Sequence, residues 1–199
     1  STVKPKGPLH VARVTRALQV MTRETVGGPA PGERSAGVAI LLAGPPEAPS
    51  MCFIQRVERP GDRWSGDVAF PGGWSNAGDG GLRFTAMRET HEEVGVELNE
   101  THHIACLLTS RISPGRSTDL GVIGASVFYV GRDLPALQPD PRELSDAFWV
   151  PGEHLVDQRN AATIDWAGAD MPGIEFDSRI IWGLTYRILG EFLDVVGAA

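Results

Sequence analysis

The chain has 199 residues, 42% of them hydrophobic and 22% charged, a composition ordinary for a globular domain with a substantial core. Its formal net charge of −7 argues against a general nucleic-acid binder and leaves any phosphate-bearing ligand dependent on local arginines or a cation. No apolar run approaches the roughly 20 residues that cross a bilayer, so neither nucleic acid nor membrane is an expected partner; a homodimer is left open.

The first 23 residues carry Lys4, Lys6, Arg13, Arg16 and Arg23 but no acid, a bias shared with organelle-targeting segments. Leu9 to Met21 also reads as an amphipathic helix of the domain, which is the preferred reading, so residues 1–35 are an N-terminal extension or helix. Ala36 to Leu42 and Met51 to Val57 are β-rich runs joined by a Gly-Pro-Pro-Glu-Ala-Pro-Ser connection. A short apolar run, Asp67-Val68-Ala69-Phe70, ends in a turn at Phe70-Pro71-Gly72-Gly73 that glycines tolerate easily. A helix follows, with Phe84, Met87 and Val94 as its expected core stripe and Gly95 as its stop. Ile104 to Ile112 and Gly121 to Val130 are two further strands, separated by a loop at residues 113–117. After a Pro-rich loop from Gly131 come a strand at Asp146 to Val150 and a helix from Ile180 to Val196, with Ile181, Leu184, Ile188, Leu189, Phe192 and Val195 at helical spacing. Strands around one central helix favour an α+β mixed sheet over a doubly wound nucleotide fold, in a single domain over 1–199. Trp149 and Trp182 read as core. Cys52 and Cys106, each in an apolar run, read as reduced, buried thiols, which suits a reducing compartment and a cytoplasmic location.

The chemistry concentrates between residues 70 and 96. Glu89, Glu92 and Glu93 project within roughly a 100° arc of one helix face. Carboxylates at such spacing repel by a few tenths of a kcal/mol per pair, and a hard divalent cation with oxygen ligands, Mg²⁺ or Mn²⁺, would offset that. The glycines at 72 and 73 let backbone groups approach a cation or a phosphate.

This constellation resembles the Nudix hydrolases, whose box reads Gly, five residues, Glu, seven residues, then Arg-Glu-apolar-x-Glu-Glu-x-Gly-apolar. Arg88, Glu89, Glu92, Glu93, Gly95 and Val96 match its second half, with Thr90 departing from the apolar position. In the first half the expected glutamate falls on Gly80 and an acid stands one residue earlier, Asp79, so the box at 73–96 is expanded by one residue. The expanded spacing and Gly66-x-x-x-Phe70-Pro71-Gly72-Gly73 are similar to the coenzyme A pyrophosphatase-like branch, although Arg63 precedes Gly66 by three residues where that branch has four. Residues 143–151 look like a late Nudix strand and turn, and Ile181-Trp182-Gly183-Leu184-Thr185 is similar to the opening of that branch's C-terminal helix.

The resemblance implies an α/β/α sandwich and a Mg²⁺- or Mn²⁺-dependent pyrophosphohydrolase acting on a small nucleotide. The substrate expected first is coenzyme A or an acyl derivative, cleaved to adenosine 3′,5′-bisphosphate and a phosphopantetheine. Rival readings are a hydrolase of ADP-ribose, dinucleotides or damaged nucleotides, and a non-catalytic module that senses a nucleotide. Glu89 and Glu93, four apart, are assigned as metal ligands and Glu92 as a third ligand or an electrostatic partner. Arg88 would brace the cluster, pairing through a shorter arm with Asp79. Arg56, Arg63 and Arg111, at or near strand ends, are candidate phosphate contacts, because a guanidinium matches phosphate bidentately, and Gly72 and Gly73 complete the substrate-binding set. The general base is a box glutamate or Glu143. His102 and His103, being consecutive, point apart on an extended segment and read as a surface turn.

Overall fold

The computed structural model describes residues 7–21, 34–61, 65–112 and 121–198, with backbone alone at 20, 21, 108–112 and 198. Among the described residues the main sheet has seven strands. Strand β1 (Ser35–Ala43) runs parallel to β6 (Gly121–Tyr129), paired from Ser35 opposite Val122 to Leu42 opposite Tyr129. Strand β5 (His103–Ile112) then pairs antiparallel with β6, which makes the sheet mixed, as expected. Strand β1 is buried on both faces, and because successive side chains of a strand point to opposite faces, it feeds two cores. Ile40 and Leu42 pack with Val14 and Leu18 of helix α1 (Val11–Met21) and with Leu189 and Phe192 of helix α4 (Gly183–Ala198). Ala39 and Leu41 pack with Ala86 and Val94 of helix α2 (Leu82–Val94) and with Phe128. Each large apolar side chain so enclosed contributes about 1.5–3 kcal/mol. The result is the helix–sheet–helix layering the resemblance implied.

The sheet contains a fork that positions the functional residues. Strand β2 (Ser50–Arg56) pairs with β1 only at Met51–Leu42 and Ser50–Ala43, while its other edge is taken by β7 (Leu144–Pro151). Beyond that point β1 and β2 part, and residues 67–75 fill the gap. Strand β3 (Val68–Ala69) pairs with Ile54 and Gln55 of β2, and β4 (Gly72–Trp74) with Ala36–Val38 of β1. The Pro71 carbonyl accepts from the Ala39 amide at 2.8 Å. The turn expected at residues 70–73 is a bend at Pro71 that joins β3 to β4, with Gly72 and Gly73 already in β4. Gly72 is required by close approach, since a Cβ there would sit 2.4 Å from the Gly37 carbonyl oxygen and 2.7 Å from the Val38 Cα.

Helix α2 ends as expected at Gly95, in the left-handed region at φ 73°, with its N–H bonded to the His91 carbonyl. Its buried side chains are Thr85, Ala86, Thr90, Glu93 and Val94; Phe84, expected in the core stripe, is 38% exposed. Thr90, the polar residue at the apolar box position, is buried and satisfied by donating to the Ala86 carbonyl at 2.7 Å. Cys52 is buried as expected, but Cys106 is exposed; both are free thiols. Trp149 packs at the rim of the second core and donates its indole N–H to the Pro135 carbonyl at 3.1 Å. Trp182 is only half-buried, its ring 5.0 Å from that of Trp166.

After a short helix α3 (Gly152–Val156) and a single 3-10 turn, the chain forms a three-stranded meander that the sequence reading lacked: β8 (Ala161–Trp166), β9 (Ala169–Phe176) and β10 (Arg179–Trp182). Both hairpins close through two residues at positive φ, Ala167-Gly168 (53° and 82°) and Asp177-Ser178 (47° and 61°), the backbone that suits the twist of paired strands. Ile180 and Ile181 belong to β10, so the helix expected from Ile180 begins at Gly183, whose φ of 62° marks the switch. The expected loop at 113–117 lies outside the described residues, and among those described no helix is long and apolar enough to cross a membrane.

Candidate active site

Arg88 organises the polar face of α2. Its Nε and Nη2 donate to the two Asp79 oxygens at 2.8 and 2.9 Å, and Nη1 donates to Glu89 at 2.7 Å and to Glu92 at 2.9 Å. Nη2 also reaches the Trp74 carbonyl at 3.1 Å. The shorter arm of Asp79 thus suffices for the pairing. Asp79 in turn accepts from the Asn76 amide and the Thr85 hydroxyl, each at 2.9 Å, which fixes the loop before the helix. Its carboxyl is held well below the usual carboxylate range, chiefly by the hydrogen bonds from Arg88.

Glu93 is placed differently. It is 3% exposed, lies at the base of the fork and accepts from the Gly72 amide at 2.9 Å. Burial pushes its carboxyl up to about 8; Glu89 and Glu143 add repulsion, while the Gly72 bond and Arg56 oppose the rise. Glu89 is also raised by burial, with Arg88 opposing. Gly73 lies flat against Glu89, since a Cβ there would be 2.6 Å from the Glu89 carboxyl carbon. Sequence spacing placed the three glutamates on one face; the fold separates them into a buried acid, a half-buried acid and, at 55% side-chain exposure, a solvent-facing one, Glu92.

Among the described residues no three Asp, Glu, His or Cys side chains stand together as a ready cation site, since Glu89 and Glu92 are both turned onto Nη1 of Arg88. The donor set still suits a hard divalent ion. It offers carboxylate oxygens alone, and a buried acid under repulsion from two neighbouring carboxylates is a site where a cation would be stabilising.

Of the other predicted residues, Arg56 ends β2 and acts electrostatically on Glu93. Arg63 lies outside the described residues, as does the side chain of Arg111, whose backbone belongs to β5. Glu143 is held beside the fork by the bond from the Val57 amide to its own carbonyl at 2.9 Å, and its charge is felt by both Glu89 and Glu93. His102 closes a turn through its bond to the Asn99 carbonyl, while His103 begins β5 with its ring edge toward Phe128, so the two form no ligand pair. Trp74 drew no attention in the sequence, although a large aromatic directly after Gly72-Gly73 was the signal available.

The sequence matches the family model of the NUDIX domain over residues 33–167, a span that holds the fork and all of α2. The chain belongs to the Nudix family. It is 30% identical over 164 residues to the human mitochondrial coenzyme A diphosphatase NUDT8, covering 79% of this chain and 67% of that protein. It is 28% identical over 154 residues to the Caenorhabditis elegans peroxisomal coenzyme A diphosphatase ndx-8, covering 77% of this chain and 64% of that one. In fold it is similar to a MutT/nudix family protein from Enterococcus faecalis, with a TM-score of 0.54 at 16% identity over 92% of this chain and 66% of the other. Nudix hydrolases cleave pyrophosphate linkages in small nucleotides and in general use divalent cations such as Mg²⁺ or Mn²⁺, so this Nudix chain is a pyrophosphohydrolase.

Proposed function

We propose that this Nudix hydrolase cleaves the diphosphate of coenzyme A or an acyl-coenzyme A, giving adenosine 3′,5′-bisphosphate and a phosphopantetheine. The observation that carries the catalytic reading is Glu93, a carboxylate 3% exposed at the foot of the fork, under repulsion from Glu89 and Glu143. Glu89 and Glu93 would hold Mg²⁺ or Mn²⁺, with Glu92 as a third ligand once released from Arg88. The cation supplies charge neutralisation at the diphosphate and acidifies the attacking water. Arg88 keeps the helix acids aimed, and Gly72 and Gly73 let the diphosphate approach the backbone of β4. Arg56, Arg63 and Arg111 would bind the phosphates, and Glu143 or a box glutamate would take the proton of the water. Water attacks one phosphorus, the anhydride P–O bond breaks, and two phosphate monoesters leave.

Coenzyme A is favoured by the two diphosphatase relatives and by Gly66-x-x-x-Phe70-Pro71-Gly72-Gly73. Residues 1–199 are read as one catalytic unit, because α1 and α4, outside the matched span, share a core with β1. The two free thiols agree with a reducing compartment. The cytoplasm and, given the names of the relatives, the mitochondrial or peroxisomal interior are the candidates. Measuring kcat/KM for coenzyme A, dephospho-coenzyme A, ADP-ribose and NADH at one Mg²⁺ concentration tests the substrate. Charge-assisted contacts to the 3′-phosphate should favour coenzyme A over its dephospho form by roughly ten- to hundredfold. Preference for ADP-ribose over coenzyme A would discard the coenzyme A reading and leave the hydrolase intact.

A further inference from the structure

Arg179 opens β10, beyond residue 167 where the match to the NUDIX domain ends, yet its side chain reaches the main sheet. Its Nε donates to the Gln55 side-chain oxygen at 3.0 Å and its Nη2 to the Asp146 carboxylate, while Nη1 donates to Asp177 at 2.8 Å. The guanidinium lies 4.5 Å from the centroid of the Phe148 ring, and the side chain is 20% exposed. Gln55 and Asp146 stand opposite each other across β2 and β7. One guanidinium therefore grips a cross-strand pair of the main sheet from the neighbouring one, using a planar fork that lysine lacks.

The gripped pair stands where β2 ends and β7 begins. Between Gln55 and Arg56 the register with β7 shifts, skipping Ser145, whose hydroxyl lies 3.3 and 3.4 Å from the Gln55 and Arg56 carbonyls. Such a bulge aims the side chains beside it. Successive residues of β2 point to opposite faces. Phe53 belongs to the core under α1 and α4 and Ile54 to the core under α2, so Gln55 faces Arg179 while Arg56 turns to the side of α2, where its charge acts on Glu93. Gln55 also donates to the Gly66 carbonyl at 3.4 Å, and the Arg56 amide to the Asp67 carbonyl at 3.1 Å, so the same strand end holds the turn that leads into β3.

We infer that Arg179 is a positioning residue of the diphosphate site: from the far face of the sheet it fixes the end of β2, and with it the arginine at position 56 that meets the phosphates. The inference rests on the nucleotide-diphosphate reading above and gives the meander a part in it.

Calorimetric binding of methylenediphosphonate, a diphosphate analogue that cannot be hydrolysed, in excess Mg²⁺ tests this without turnover. Arg179→Lys keeps the charge and loses the fork, and it should weaken binding roughly two- to thirtyfold. Gln55→Leu, which leaves the Asp146 pair intact and serves if the first variant does not fold, should do the same. Arg56→Gln should weaken binding by itself. Adding Arg179→Lys to it should then cost much less than in the wild-type background, whereas the losses in Tm should add. In hydrolysis Arg179→Lys should raise KM with kcat within about threefold. Binding within twofold of wild type in the folded variants overturns the inference and leaves Arg179 a clamp of the fold alone. An effect of Arg179→Lys that persists undiminished beside Arg56→Gln, an Arg56→Gln variant that binds normally, or a wild-type protein that does not bind the diphosphonate overturns it too. A wild-type protein that binds the diphosphonate and cleaves no nucleotide counts against the proposed function alone.

Discussion

Asp79→Asn separates a structural clamp from an ordinary loop acid. Asp79 accepts four hydrogen bonds: Arg88 Nε on one oxygen, and Arg88 Nη2, the Asn76 amide and the Thr85 hydroxyl on the other. An asparagine keeps one accepting oxygen and turns the other position into a donor, so at least one of these donors faces a second donor. The carboxylate is 8% exposed and the Arg88 side chain 25%, so the cost falls short of the 3–5 kcal/mol of a fully buried broken pair. Loss of a hydrogen bond to a charged group costs about 1.5–3 kcal/mol, which for a chain of this size lowers Tm by roughly 3–10 °C. The pH dependence follows from the sign of the shift. The Asp79 carboxyl is held below its ordinary value, so its contribution is full above the unfolded value of about 3.9 and is lost as pH falls toward the folded one. Urea unfolding of both proteins at pH 7 and in acid measures this directly. A difference below about 0.5 kcal/mol at pH 7, or one that does not shrink in acid, would mean that Asp79 does not clamp Arg88.

Further substitutions address the acids and the glycines beside them. Glu93→Gln and Glu89→Gln should each lower turnover on the order of 10³-fold in Mg²⁺, because a cation-binding charge is lost; near-normal steady-state rates in both would remove the assigned centre. The Glu93 carboxyl is pushed up to about 8, so without divalent cation its stabilising proton is fully held below about 4.3 and lost as pH rises through 8. Thermal melts in chelator should therefore fall across that window in the wild-type protein, fall less in Glu93→Gln, where the raised Glu89 carboxyl remains, and recover when Mg²⁺ is added. Gly73→Ala places a Cβ against the end of the Glu89 side chain, which can swing away, so activity should drop more than tenfold with little change in Tm. Gly72→Ala meets backbone of β1, which cannot, so it should unfold the protein at markedly lower temperature; equal melts for the two would contradict the fork geometry.

The legible parts of the sequence were those where one periodicity speaks alone. The run from Ala36 to Leu42 is apolar throughout because β1 is covered on both faces, and helix α2 stops where Gly95 takes a left-handed conformation. The cluster of acids was legible from helical spacing, but its depth was not. Spacing assigns an angular position, whereas burial of Glu93 depends on residues 67–75 inserting between β1 and β2. The core stripe failed at Phe84 because the helix sits on the sheet through small side chains, Ala86 and Thr85, against Gly37, where a Cβ would be 2.1 Å from the Leu82 carbonyl oxygen. Strands β8 and β9 were missed because β8 is largely exposed and its hairpin turns on Ala-Gly, while the next turns on Asp-Ser; neither carries the Asn-Gly or Asp-Gly signal.

The most direct measurement incubates the protein with coenzyme A and, separately, ADP-ribose in Mg²⁺, and identifies the products by mass spectrometry, with chelator and Glu93→Gln as parallel arms. Cation-dependent cleavage at the diphosphate predicts two phosphate monoesters from at least one of the substrates, and only intact substrate in either parallel arm. Full product yield in chelator, or cleavage at a bond other than the diphosphate, would contradict it.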